Sequence, residues 1–203
     1  LIAGRFACEK QGEAPGIHFD RVQISGAEPM LTTDPLPALP DGVEAARDFL
    51  RIDTGEDDAV LARLLAAAVA QAEAFTASLL IARGVTEVVE GGAGWTALSA
   101  WPVTAITGVA DVGGAALPIG SYEIDVDTTA IGKVRLTTAA PQRIRVTYVA
   151  GLATGWATLA EPMRQGIVML VVHDYLARDR NDGDALPPDV AARWRGARRM
   201  RLS

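Results

Sequence analysis

The chain has 203 residues, 49% of them hydrophobic and 22% charged, which excludes a wholly disordered protein and leaves room for one domain with arms or a tail. Its net charge of −6 argues against general nucleic-acid binding through phosphate neutralisation, and the single Cys8 excludes an internal disulfide framework and fits a reducing compartment. Aromatics are only 5% while alanine is abundant, so a helix-rich core of small side chains is expected.

Residues 1–29 carry Gly4, Gly12, Pro15, Gly16, Gly26 and Pro29 without sustained periodicity and are expected to form an extended arm, with a short strand from Ile17 to Ile24. No basic stretch followed by an apolar one opens the chain, so no secretory signal is expected. Met30 precedes a fresh start of pattern, and Pro35, Pro37 and Pro40 make the rest of 1–40 an extended linker.

The main domain is expected over 41–180. Asp41 and Glu44 have capping-box spacing, and Val43, Ala46, Phe49 and Leu50 share one face of a helix over about 42–51. A second helix, about 55–81, opens at Thr54 with Glu56, Asp57 and Asp58 in its first turn, where carboxylates suit the dipole. Val60, Leu61, Leu64, Leu65, Ala68, Val69, Ala72 and Phe75 keep its 3.6-residue period, and Gly84 closes it.

The period then falls to two. Strands are expected within about 85–149, punctuated by Gly113-Gly114, Gly120 and Gly132. Pro162 opens a third helix to about 178, apolar on every side through Ile167, Val168, Met169, Leu170, Val171 and Val172. Such a helix must be buried all round, which predicts a neighbouring subunit over Ile167, Met169, Leu170, Val171 and Val172. The run Ile167 to Val172 is the longest strongly apolar one and is too short to span a bilayer, so no membrane contact is expected. Residues 181–203 form a linker and a basic tail helix. Val190, Trp194 and Ala197 make a stripe too narrow to fold alone, so the tail is expected to order only on a partner.

Candidates for chemistry are few. His173 and Asp174 are neighbours in sequence, so about 100° of helix separates them and no acid–base pair is expected. His18 has no second ligand at metal spacing, and Cys8 has no identifiable base. Gly91-Gly92-Ala93-Gly94 lacks the Lys-Ser/Thr of a phosphate loop and reads as a hairpin turn. Ser99 has no nucleophile-elbow glycines, and Trp101-Pro102 reads as a strand-edge anchor. No catalytic, cofactor or metal site is expected. The terminal Arg193, Arg195, Arg198, Arg199 and Arg201 carry no acid among them. They form a solvated terminus, a DNA contact or, with Trp194 in their midst, a docking segment.

Several stretches together carry a resemblance. They are the helix Val43 to Leu50, the acidic turn Asp53-Thr-Gly-Glu-Asp-Asp58, and Arg143 to Val149 closed by Ala150-Gly151. The proline-started helix ending in Tyr175, Arg178 and Asp179 follows, then Leu186-Pro187 before a basic end. This order resembles the siphovirus-type head–tail connector, or adaptor, proteins, which also occur in phage-like gene transfer particles. The resemblance covers roughly residues 41–202, through loose motifs rather than an invariant signature, and residues 1–29 have no counterpart in it.

It implies an α+β fold, a small helical bundle with an inserted antiparallel sheet or hairpins, and a structural protein rather than an enzyme. It further implies a homo-oligomeric ring, commonly of twelve copies, in the neck of a phage or phage-like particle assembled in the bacterial cytoplasm. The tail would dock on the portal through Val190, Arg193, Trp194, Arg195, Ala197, Arg198, Arg199 and Arg201. DNA would pass without sequence-specific binding through a lumen lined by some of Glu56, Asp57, Asp58, Glu123, Asp125 and Asp127, and stopper or tail-terminator proteins would attach below. Another neck or tail-completion protein, or a small hydrolase or binding domain, is the alternative.

Overall fold

Pro40 starts the first helix. Its fixed φ and missing N–H suit a first helical position, and α1 runs from Pro40 to Leu50 with no side-chain cap. The Asp41–Glu44 capping box expected from the sequence does not form, because the helix begins two residues earlier, with Leu39 at its N-cap. Arg51 closes α1 in the left-handed conformation, φ 58°, with its N–H on Arg47 and Asp48 carbonyls. The computed structural model describes residues 30–138, 143–177 and 186–199.

The second helix, α2 (Asp58–Thr76), is shorter at both ends than its apolar period suggests. Thr76 returns its hydroxyl to the Ala72 carbonyl at 2.7 Å, and Ala77 turns left-handed, φ 55°, so the chain reverses well before Gly84. The next helices are α3 (Glu161–Ala177) and α4 (Pro188–Trp194). Together the four helices enclose one core in which Ala46, Leu61, Leu65, Val69, Ile167, Val171, Val190 and Trp194 are buried. Helix α1 approaches closely at Gly42, where a Cβ would stand 2.8 Å from Leu65 and 3.1 Å from the Trp156 ring. Phe49, expected on the buried face, is instead 61% exposed, since α1 turns Ala46 and Gly42 inward.

Among the described residues, seven strands complete the α+β architecture: β1 (Leu31–Thr33), β2 (Arg83–Glu90), β3 (Thr96–Ala97), β4 (Val103–Asp111), β5 (Tyr122–Val126), β6 (Gly132–Leu136) and β7 (Arg143–Ala150). They form two antiparallel sheets, β1-β2-β7-β4 and β3-β6-β5. Part of the expected Pro-rich linker is thus a strand, with Thr32 opposite Thr86. Gly91 to Gly94 is not a hairpin turn: β2 pairs with β1 and β7 while β3 pairs with β6, so the glycines carry the chain from one sheet to the other. Val85, Val103, Val134, Ile144, Val146 and Tyr148 form a second core between the sheets.

An ion pair joins the two cores, and a carboxylate network braces the sheet. Glu73 at the end of α2 grips Arg83 of β2 at 2.6 and 2.9 Å and also accepts the Leu80 N–H at 2.9 Å. Glu87, inside β2 and 6% exposed, accepts from Tyr148 Oη at 2.7 Å, from the Ser99 N–H at 3.0 Å and from Ser99 Oγ. Every contact of that carboxylate crosses to a different element, which fixes the 98–101 loop against β7.

Candidate assembly surfaces

The C-terminal segment decides which surfaces are open. Trp194 of α4 is 0% exposed and Val190 1%, both against this chain's own α3 and α2. Gly166 makes the notch: a Cβ there would lie 2.3 Å from Trp194 Nε1 and 2.9 Å from Cε2. Phe75 of α2 stands against the indole with ring centroids 6.0 Å apart. The arginines fasten the outside. Arg193 donates to Gln165 Oε1 at 2.9 Å, Arg198 lies 5.7 Å over the Phe75 ring, and Arg199 lies 5.0 Å over Trp101 and donates its N–H to the Thr76 carbonyl at 2.9 Å.

Two expectations are corrected by this one arrangement. The stripe of Val190 and Trp194, expected to wait for a partner, finds its cover in the subunit itself. The all-round apolar helix, expected to need a neighbouring copy, is covered by α1, α2 and α4. Ile167, Leu170, Val171 and Val172 are core residues, and only Met169 of the expected interface is partly open. Ala197 is half-buried, Arg195 is exposed, and Arg201 lies outside the described residues, as do Cys8 and His18.

What remains open is different. Helix α2 is long and apolar enough, by length and composition, to cross a membrane, with mean hydropathy 1.4 over an 18-residue window. The expectation that no segment reaches that length overlooked how much hydropathy alanine contributes. Only 33% of the window is buried, and Ala59, Ala62, Ala66, Ala70 and Ala74 lie exposed along one side. That side leads into an open groove lined by Leu36, Pro37, Leu39, Val43 and Leu65. A second groove lies between α1 and α3, with Phe49, Trp156, Val168 and Met169 inside it and Arg164 and Arg193 among its lining.

The six acids proposed for a channel fall in two places. At the start of α2, Asp58 pairs with Arg47 at 3.4 Å and Asp57 accepts from Tyr175 Oη at 2.7 Å, leaving Glu56 exposed on the turn. On the small sheet, Glu123 pairs with Arg135 at 2.6 Å, Asp127 pairs with Lys133 at 2.8 Å, and Asp125 is exposed between them. Lys133, then the Thr129 hydroxyl and the Ile131 N–H, hold the Asp127 carboxyl far below the usual carboxylate range.

The chemistry candidates resolve as contacts. His173 Nδ1 and Asp174 Oδ1 do meet, at 3.1 Å, because both side chains swing along the exposed helix surface despite the angle between them. Ser99 is bound to Glu87, and Trp101 donates to the Thr129 carbonyl at 2.7 Å. Among the described residues, no group of three or more His, Cys, Asp or Glu converges as metal ligands would. The sequence reading missed the Glu87–Ser99–Tyr148 network. Its signal was a lone carboxylate amid Val85, Val88 and Val89 of an apolar strand.

No protein-family model matches the chain, and no curated protein sequence matches it. Solved structures do. A chain of the neck of an empty gene transfer agent particle, computed with C6 symmetry, matches with TM-score 0.67 and 26% identity over 85% of this chain and 97% of that one. A chain in the virion of a native gene transfer agent particle matches with TM-score 0.64 and 28% identity, covering 86% and 97%. A third, in the neck of a native particle computed with C12 symmetry, shares the fold at TM-score 0.62 and 24% identity over 85% and 97%. The chain is thus similar, over nearly the whole of their length, to neck and virion chains of gene transfer agent particles, which supports a phage-like head–tail connector family.

Proposed function

We propose that the protein is an adaptor subunit of a particle neck: copies form a ring that sits on the portal, prolongs the DNA channel and receives the stopper or tail-terminator proteins. One observation carries this reading, the likeness to neck and virion chains of gene transfer agent particles across 97% of their length. A ring of about twelve copies is compatible with the sixfold symmetry of the matched neck. The open alanine side of α2 and its neighbouring groove are the surfaces best suited to contact between copies, because small apolar side chains allow close approach there, with Glu44, Arg47 and Asp58 also in the groove's lining.

The channel is assigned to the β5–β6 hairpin, where Glu123, Asp125 and Asp127 alternate with Lys133 and Arg135. Mixed charge of this kind lets DNA slide without a continuous basic surface to hold it. The portal contact is assigned to the basic C-terminal segment, with Arg195 and Arg198 already outward. DNA is a passenger, and no cofactor or membrane takes part.

The test is to mix the purified protein with the portal encoded beside it and examine the product by co-sedimentation and electron microscopy. Rings stacked on portals are expected. A protein that ignores the portal but caps isolated tail tubes would overturn the adaptor assignment in favour of a tail-completion role.

A further inference from the structure

We infer that the C-terminal segment is a closed clasp that must open for its Trp194 to reach the portal, so the free subunit holds its own docking residues out of use. This rests on the portal contact proposed above. The clasp fits its seat through one notch, Gly166, and through contacts that a partner can replace. Arg193 is bonded to a neutral amide, and Arg198 and Arg199 lie over aromatic rings. Among the described residues, none of these three arginines forms an ion pair with a carboxylate. A charge-assisted bidentate pair is roughly twice as strong as a neutral hydrogen bond, so an acidic surface competes well for all three.

Two further features make the closed state easy to leave. Trp194 Nε1 is buried and has no hydrogen-bond partner, a donor that only a different seat would satisfy. Helix α4 has seven residues and no side-chain cap, so it holds its form by the α3 seat and not by itself. The partner that fits is a surface with an apolar pocket for the indole, an acceptor for its N–H, and carboxylates around the rim. Arg199 over Trp101 also links the clasp to the sheet, since the Trp101 indole donates to Thr129 beside Asp127.

The experiment measures portal affinity by co-sedimentation for the wild type, Gly166→Ala, Phe75→Leu and the control Gly196→Ala. A methyl group added at Gly196 would meet nothing within 4 Å, so the control leaves the clasp shut. A closed clasp lowers apparent affinity by the fraction of subunits that are open. Gly166→Ala, which forces the indole out, should therefore bind the portal about tenfold more tightly, Phe75→Leu a few-fold more tightly, and Gly196→Ala like the wild type. Both clasp variants binding no more tightly than the wild type, with native circular dichroism, would mean that the tail docks closed and would overturn the inference. Should Gly166→Ala fail to fold, Phe75→Leu alone decides. A wild type that shows no portal binding would instead remove the adaptor reading on which the clasp depends.

Discussion

Replacing Trp194 with alanine should destabilise the subunit by about 2–4 kcal/mol, and the structure supplies both terms. Truncating a buried aromatic to alanine costs about 3–5 kcal/mol, and Trp194 is fully buried between Gly166 and Phe75. Against this, the variant removes an indole N–H that has no partner, which returns about 1 kcal/mol or more. The freed segment also regains conformational entropy, which puts the net toward the lower end of that range. Urea unfolding followed by far-ultraviolet circular dichroism measures it, with Trp95→Ala as the control. Trp95 is 45% exposed and touches Arg135 at 4.7 Å, so its loss should move stability by no more than about 1 kcal/mol. If Trp194→Ala unfolds within about 0.5 kcal/mol of the wild type, the indole does not hold the clasp and the burial argument fails.

Two pH effects follow from the sheets. Burial, with the Glu87 carboxylate beside it, raises the Tyr148 phenol above its ordinary 10.0, so the folded chain keeps a proton that the unfolded chain gives up. Stability should therefore fall as pH climbs past about 10, and Tyr148→Phe should flatten that alkaline slope while costing about 1–3 kcal/mol at neutral pH for the donor lost to Glu87; an unchanged slope between pH 9 and 11 would contradict it. Asp127 behaves in the opposite sense. Its carboxyl is held below 3.8 in the fold, so its contribution is present above about pH 4 and is lost as pH drops further. Asp127→Asn should reduce the dependence of the unfolding midpoint on pH between 4 and 2, and a variant with the wild-type acid profile would show that the Lys133 contact does not persist in solution.

The parts of the fold written in local period were legible. α1, α2 and α3, the change to strands after residue 83 and the late helix behind Pro187 and Pro188 all follow from spacing and breakers. Helix ends were less so, because what stops α2 is the Thr76 hydroxyl returning to Ala72 and a left-handed Ala77, neither of which has a compositional mark as plain as glycine. The expectation of a Gly91–Gly94 hairpin failed for a related reason. Glycine says that the chain can turn, and only pairing partners far away in sequence say which sheet it turns into.

The surfaces were the least legible, and the reason is complementarity. An all-round apolar α3 and a narrow stripe on α4 each looked like half of an interface with some other molecule, since each lacked a partner within its own sequence neighbourhood. They are partners of one another, and Gly166 in mid-helix was the trace of it. A glycine there weakens α3 by about 1 kcal/mol relative to alanine, so its presence marks a place where a methyl cannot be tolerated. Glu87 has the same logic in the sheet, a charge on an inward strand position that only Ser99 and Tyr148 make tolerable. A residue that breaks a local rule points to a contact that local reasoning cannot name. In this chain both such residues sit where separate elements lock together, and the surfaces left open are the locally unremarkable ones: the alanine side of α2, the groove beside α1 and the outward arginines of the tail.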